Sequence, residues 1–259
     1  SHKMNEVMQV ADRISVLRKG KKEATLLKKD TNINELAQLM VGKNFFATEY
    51  KEKKKIPESA LNLISVNKEY PKGKSLKNIN LSISSGEVVG IAGVDGNGQR
   101  ELAEIITGEA VPDSGLVSLN NQDISSWSIK KRIQNGFCYI PENRSEVGTA
   151  AQNSIWENLV MRIFAHKDFS KFGFLNLNNL KKYSQNIINK YEIVNPGLNQ
   201  PAAVLSGGNL QKLILGREIE INGEVYVFIH PTRGLDISST FFVRGKIQEL
   251  SEKGKKVIV

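Results

Sequence analysis

At 259 residues and 40% apolar, the chain can bury the core of one large domain, or of a domain with an appendage. No run approaches the roughly 20 apolar residues that span a bilayer, and no basic stretch leads into a shorter apolar one, so the reading expects a soluble or peripheral protein without a secretion signal. The net charge of +9, from 36 basic and 27 acidic residues, would suit nucleic acid or an anionic membrane surface, but the lysines are dispersed and often sit beside asparagine, which favours a solvated basic surface.

The first predicted helix covers residues 4–11, where Met4, Val7, Met8 and Ala11 recur at helical spacing. Short strands are predicted at 14–17 and 24–27, around the turn Lys19-Gly20-Lys21. A second amphipathic helix spans 33–41, with Asn32 to cap it and Gly42 to close it. Residues 48–59 (TEYKEKKKIPES) are charged, contain Pro57 and show no apolar period, which is the composition of a linker. From Ala60 a new domain begins, and Leu61-Leu63-Ser65 and Ile79-Leu81-Ile83 alternate like strands of an antiparallel flank. A buried-type strand at 88–92 feeds the glycine-rich loop Gly93-Val94-Asp95-Gly96-Asn97-Gly98, and a helix is predicted at 100–107.

The next strand, 137–140, holds the single cysteine, Cys138. It reads as a buried small hydrophobe in a reducing compartment, and by itself it can form neither a disulfide nor a zinc site. Pro141-Glu142-Asn143-Arg144 follows. Between 152 and 201, helical spacing (Ile155, Leu159, Val160, Ile163; then Tyr183, Ile187, Ile188, Tyr191) alternates with asparagine-rich connections. The segment Leu205-Ser206-Gly207-Gly208-Asn209-Leu210-Gln211-Lys212 sets a serine and two glycines directly before a helical apolar pattern. Free N–H groups and a hydroxyl at a positive helix N-terminus suit a phosphate. Taken alone, the tripeptide reads first as an ordinary Ser N-cap with a glycine turn. An apolar run, Val225 through Ile229, then leads into His230-Pro231-Thr232, and Val257-Ile258-Val259 is a last strand.

A strand-loop-helix phosphate site, an LSGGNLQK segment, and a strand ahead of Pro231-Thr232-Arg233-Gly234-Leu235-Asp236 together resemble the nucleotide-binding domain of ATP-binding cassette (ABC) transporters. The resemblance covers essentially the whole chain. It implies an α/β P-loop NTPase fold, with a mixed-sheet core, an antiparallel β flank and a helical subdomain over about 152–201. Residues 1–47 resemble the end of one cassette, 48–59 a linker, and 60–259 a second, degenerate cassette. That arrangement is similar to the tandem ATPases of simple-sugar (ribose/galactose) and nucleoside importers. The stretches Gly96-Asn97-Gly98-Gln99-Arg100-Glu101-Leu102 and Pro141-Glu142-Asn143-Arg144 carry the match alongside the signature and the Pro231–Asp236 turn, and the altered strand end leans toward the nucleoside branch.

On this resemblance Tyr70 would stack on adenine, with plain surface packing as its alternative. Gly93, Asp95, Gly96, Asn97, Gly98, Gln99, Arg100 and Glu101 would line a nucleotide. Leu205, Ser206, Gly207, Gly208 and Gln211 would form the signature that serves the opposite nucleotide. Glu142 stands where a sensing glutamine is usual, and Asp236 keeps the inter-domain loop pattern. His2 would be the switch histidine of the first cassette, although Ser-His is also what a cleaved tag leaves. A working P-loop needs a lysine for the phosphates and a hydroxyl for Mg²⁺, and this loop continues into Gln99 and Arg100. The strand that should end in Asp-Glu ends in Ile229 and His230.

The backbone cradle does not depend on those side chains. The expectation is therefore that ATP or ADP binds, more weakly, and that this fragment does not hydrolyse it. Mg²⁺ would be used at the first cassette's site only. The implied partners are that first cassette in the same polypeptide, membrane permease subunits and, indirectly, a solute-binding lipoprotein or periplasmic receptor, at the cytoplasmic face of the membrane. Nucleic acid is not expected, because the helical subdomain lacks basic residues interleaved with aromatics. The rivals are a soluble cassette protein of translation or DNA repair, and a nucleotide-free scaffold. Residues 1–41 are expected to dock on a cassette core near the Val257 strand, in their own chain or by exchange with a neighbouring one, burying Met4, Val7, Met8, Leu36 and Leu39.

Overall fold

The computed structural model describes residues 4–18, 20–42, 56–71 and 73–259. His2, the residue Lys19 of the first turn and most of the expected linker lie outside the described residues. The first unit consists of α1 (Met4–Val10), the antiparallel hairpin of β1 (Arg13–Arg18) and β2 (Lys21–Leu27), and α2 (Ile33–Val41). Asn32 caps α2 by accepting the Glu35 N–H at 3.0 Å, and Gly42 ends it at φ +106°. Met4, Ile14, Val16 and Leu36 bury one another in a small core.

The remaining elements begin with β3 (Ile56–Lys68), β4 (Leu76–Ser85), β5 (Val88–Val89), α3 (Gln99–Thr107), β6 (Ser114–Leu119) and β7 (Gln122–Asp123). Next come α4 (Ile129–Gln134), β8 (Phe137–Ile140), α5 (Ile155–Val160), the hairpin β9 (Ser170–Lys171) and β10 (Phe174–Leu175), and α6 (Leu177–Lys190). The chain closes with α7 (Gly207–Glu220), β11 (Val225–Phe228), α8 (Ile237–Glu252) and β12 (Lys256–Ile258).

Two sheets carry the fold. One is antiparallel, in the order β4-β3-β6-β7, with Leu61 opposite Ile83 and Leu63 opposite Leu81, as alternation predicts. Its strand β3 begins at Ile56, inside the stretch read as linker. The other is parallel, in the order β5-β12-β11-β8. All four residues of β11 are buried, because the parallel sheet is covered on both faces. Val225 and Val227 join a core with α3 and the antiparallel sheet (Leu61, Ile83, Ile105, Ile106), while Tyr226 and Phe228 join a core with α5, α6 and α7 (Leu159, Ile187, Leu213, Ile214). Each such side chain contributes about 1.5–3 kcal/mol by leaving water.

Two elements escaped sequence reading. α8 shows no apolar stripe, since Ile237, Phe241, Phe242, Val243, Ile247 and Leu250 point around the whole helix; it is held by packing on the second core and by Ser251 Oγ donating to the Gly86 carbonyl at 2.6 Å. The β9–β10 hairpin interrupts the region expected to be helical. The strand expected at 88–92 pairs formally over only two residues, although Ile91 N–H continues the ladder to the Val259 carbonyl at 2.7 Å.

The N-terminal unit docks on the core of the larger domain, with Met4 and Leu36 buried and Val7, Met8 and Leu39 packed against them, but the contact is at the start of α8 rather than on the Val257 strand. Its small core meets Ile237, in the first turn of α8, and α2 touches α8. β12 is an inner strand, flanked by β5 and β11, and Val257 is fully buried.

Candidate nucleotide-binding site

The ladder past β5 delivers Gly93–Gly98 to the carboxyl end of the parallel sheet, where ligands gather in open α/β folds. Asn97 N–H closes a turn onto the Val94 carbonyl at 3.2 Å, and Gly96 (φ +82°) and Gly98 (φ +106°) adopt left-handed conformations that only glycine takes freely. α3 starts at once from Gly98, so its unpaired first-turn N–H groups face the loop.

Gln99, at the lysine's position, folds back across this loop. Its Nε2 donates to the Val94 carbonyl at 3.2 Å, and its Oε1 accepts the Asn97 N–H at 3.1 Å. The amide lies over Gly93, where a Cβ would collide with Nε2. A neutral side chain thus bridges the loop where a P-loop would carry a positive charge.

The neighbouring residues turn elsewhere. Arg100 is 83% exposed and pairs with Glu104 at 3.1 Å on the helix surface. Glu101 accepts the Lys74 N–H at 3.2 Å, and its carbonyl accepts the Tyr70 hydroxyl at 3.4 Å. Tyr70 is therefore half-buried beside the first turn of α3, and burial, helped by the charge of Glu104, raises its pKa above the usual phenol value.

At the end of β11, Ile229 packs against the first core. His230 is exposed at φ +43°, an uncommon conformation for a side chain with a Cβ, and its Nε2 lies 3.5 Å from Asp95 Oδ1 in the loop. A cavity of about 370 Å³ lies behind the loop, bounded by Gly93, Gln99, Ile229, His230, Arg244 and Val259. The fit to the two groups the fold implies is unequal. The exposed glycine loop, with nothing within 4 Å of a Cβ at Gly96, fits a phosphate held by backbone N–H groups. Arg100 and Ile229 offer Mg²⁺ no oxygen, and among the described residues no group of three His, Cys, Asp or Glu could hold a metal.

The signature stretch forms a separate cluster. Ser206, the N-cap of α7, accepts from Asn209 N–H at 3.4 Å and from Asn209 Nδ2 at 3.0 Å, so the ordinary capping role is real. Ser206 and Gly207 remain exposed, and Leu205 is half-buried against the second core. Gly208 lets α7 approach the start of α8, since a Cβ there would lie 2.6 Å from Ser239 Oγ and 3.4 Å from Asp236 Oδ2. Asp236 itself caps α8, accepting Ser239 N–H at 2.8 Å. Burial pushes its pKa up, but hydrogen bonds from Ser238 and Ser239 outweigh this and leave it below the usual value.

Arg144 joins these parts and was not among the residues singled out, although it stands in the Pro141–Arg144 motif. Its Nε donates to Gln211 Oε1 at 2.6 Å, its Nη2 donates to the Arg233 carbonyl, and Nη1 lies 3.8 Å from the Cβ position of Gly207. Glu142 forms an ion pair with Arg233. The Glu142 and Gln211 positions thus share one network with the loop between β11 and α8. The glycine loop meets His230 through Asp95, and Gly93, Gln99, Ile229 and His230 line one cavity.

The family model of ABC transporters matches residues 76–232. The chain is 36% identical over 254 residues to the guanosine import ATP-binding protein NupO of Bacillus subtilis, an alignment covering 96% of this chain and 49% of that protein. It is 34% identical over 260 residues to the nucleoside import ATP-binding protein NupA of Lactococcus lactis, covering 100% and 51%. To the ribose import ATP-binding protein RbsA of Clostridium tetani it is 32% identical over 259 residues, covering 100% and 50%. The chain thus spans about half the length of the curated relatives it matches. Among solved structures, a dimeric ATP-binding cassette in a post-hydrolysis state with ADP and phosphate aligns with a TM-score of 0.65 at 24% identity, over 77% of this chain and 86% of that one. The fold is that of an ABC cassette, and the chain belongs to the ABC transporter family.

Proposed function

We propose that this chain supplies a degenerate cassette of an ABC importer for nucleosides or simple sugars. In this reading the Gly93–Gly98 loop holds ATP or ADP through its backbone, and Ser206, Gly207 and Gly208 are offered to a nucleotide bound on another cassette's P-loop. The observation that carries the proposal is an asymmetry. The signature turn is intact and exposed, whereas Gln99 is tied into its own loop and Ile229 is committed to the core. A bound nucleotide would supply the negative charge that the loop N–H groups stabilise, and Gln99 would have to release Asn97 N–H to admit it. His230 faces Asp95 of the loop, but the preceding position, where the strand of a working cassette carries its metal carboxylate, is Ile229, which has no oxygen to offer. Hydrolysis therefore belongs to the partner site, as does Mg²⁺.

The resemblance of residues 1–47 to a cassette end, with relatives about twice this length, supports a first cassette in the same polypeptide. Import functions in the relatives' names support permease subunits and a solute receptor as partners, at the cytoplasmic membrane face. Names of guanosine and nucleoside importers favour nucleosides. Names of glucose and ribose importers keep sugars as the second reading.

The test is binding of a fluorescent ATP analogue together with phosphate release by this chain. Expected are saturable binding and turnover below about 0.1 s⁻¹, beneath the usual 1–10³ s⁻¹. Restoring Gln99→Lys with His230→Glu should leave turnover at background, because Arg100 and Ile229 still deny the metal its ligands. Faster hydrolysis that survives repurification would reject the degenerate-site reading, and absent binding would favour the scaffold.

A further inference from the structure

We propose that the β9–β10 hairpin is a membrane-surface anchor, whose two tip phenylalanines enter the interface of a bilayer bearing anionic headgroups. This goes beyond the nucleotide reading and does not depend on it. Lys171 pairs with Phe174 and Ser170 with Leu175, which leaves Phe172-Gly173 as a two-residue turn. Both turn residues have positive φ (+53° and +83°), the type I′ geometry that favours Asn, Asp or Gly at its first position. Phe172 occupies that position and is 90% exposed, and Phe174 beside it is 81% exposed. Folding gains nothing from either ring: one sits on a strained backbone, and both remain in water.

The hairpin is nevertheless tied down at its base. Phe169 packs edge-on against Tyr183 of α6 with ring centroids 5.3 Å apart, and Asn176 N–H donates to the Phe169 carbonyl at 2.8 Å. The result is an exposed pair of rings on a fixed support, with an open depression lined by Lys167, Lys171, Phe174 and Leu175 beside them. Two exposed rings side by side at a turn, ringed by lysine, suit a soft interface that closes around them.

Charge selects the kind of surface. Between residues 163 and 189 the basic side chains Lys167, Lys171, Lys181 and Lys182 outnumber a single acid, Asp168, which lies 3.2 Å from His166 Nδ1. The Lys171 ammonium sits 5.7 Å from the Phe172 ring centroid, so its stem can follow the ring down while the charge stays with headgroups. Apolar insertion or a few lysines alone hold a protein weakly, and lasting attachment takes two such signals together. This hairpin and the start of α6 carry both.

The 259-residue chain is sedimented at low salt with vesicles of phosphatidylcholine mixed with phosphatidylglycerol, and with phosphatidylcholine alone. Binding to the mixed vesicles only is expected, weakening as salt rises. The double variant Phe172→Asn, Phe174→Thr should lose about tenfold or more in vesicle affinity, with a thermal midpoint unchanged or raised because Asn suits the turn. Lys171→Glu should weaken binding without altering the fold. No sedimentation of the unmodified chain would overturn the proposal and leave the tip to a protein partner. Undiminished binding by the double variant, or a clear fall in its thermal midpoint, would also overturn it.

Discussion

Gly207 and Gly208 are adjacent in sequence and identical in chemistry, yet their surroundings separate them. At Gly208 a methyl group would press on Ser239 Oγ, which donates to Asp236 Oδ2 at 2.8 Å, so rotating the hydroxyl away gives up that bond. Gly208→Ala should therefore cost about 1–3 kcal/mol in urea denaturation. Gly207→Ala meets nothing nearer than 3.8 Å and should be neutral, or stabilise by up to about 1 kcal/mol, because alanine suits a helix better. Cys138 makes a second test at this scale. It is 1% exposed, its thiol meets the Glu218 carbonyl at 3.4 Å, and burial pushes its pKa up to about 12. A thiol reagent at pH 8 should leave the folded chain unmodified and label it fully after denaturation.

Helix α5 is only six residues long and depends on its ends. Ser154 and Glu157 form a reciprocal capping box, with Ser154 N–H donating to Glu157 Oε2 at 2.8 Å. Asn158, fully buried one residue on, binds both the N–H and the carbonyl of Ala150 and so ties the preceding loop to the helix. The Ser154 hydroxyl, then its N–H, holds the Glu157 carboxyl below the ordinary value of 4.5. A carboxylate with a depressed folded pKa contributes stability above its unfolded value and loses it as pH falls through the folded one. Ser154→Ala should accordingly lower stability by about 1 kcal/mol at neutral pH. In melts taken across pH, the gap to the unmodified chain should narrow below the ordinary value of 4.5.

For the whole molecule, the N-terminal unit is held by its own small core and by Ile237. Ile237→Glu would place a charge in that contact and should raise amide exchange in α2 by about tenfold or more, leaving β11 protected. Equal exchange in both proteins would refute this contact. The proposed assembly makes a complementary prediction. Ser206→Ala should remove most ATPase activity from the complete transporter while costing this chain only about 1 kcal/mol of stability. Phosphate release and thermal unfolding measured side by side would test it, and near-normal activity would reject the trans role of the signature.

Much of this could be read from residues close together in the chain. The capping of α2 by Asn32 and of α7 by Ser206, the glycine loop and the apolar run of β11 all rest on neighbours within a few positions, so a local window contains their cause. The missing lysine and carboxylates were legible for the same reason, as identities at fixed motif offsets. Tertiary structure alone decided where those substitutes point: Gln99 back across its loop, Arg100 out to Glu104, His230 toward Asp95. It also decided the bond between Arg144 and Gln211, 67 residues apart, the place of β12 between two strands, and the contact of the N-terminal unit with Ile237. Periodicity and capping are short-range effects, whereas strand order and the direction of a polar side chain depend on which faces and donors remain open once distant elements have packed.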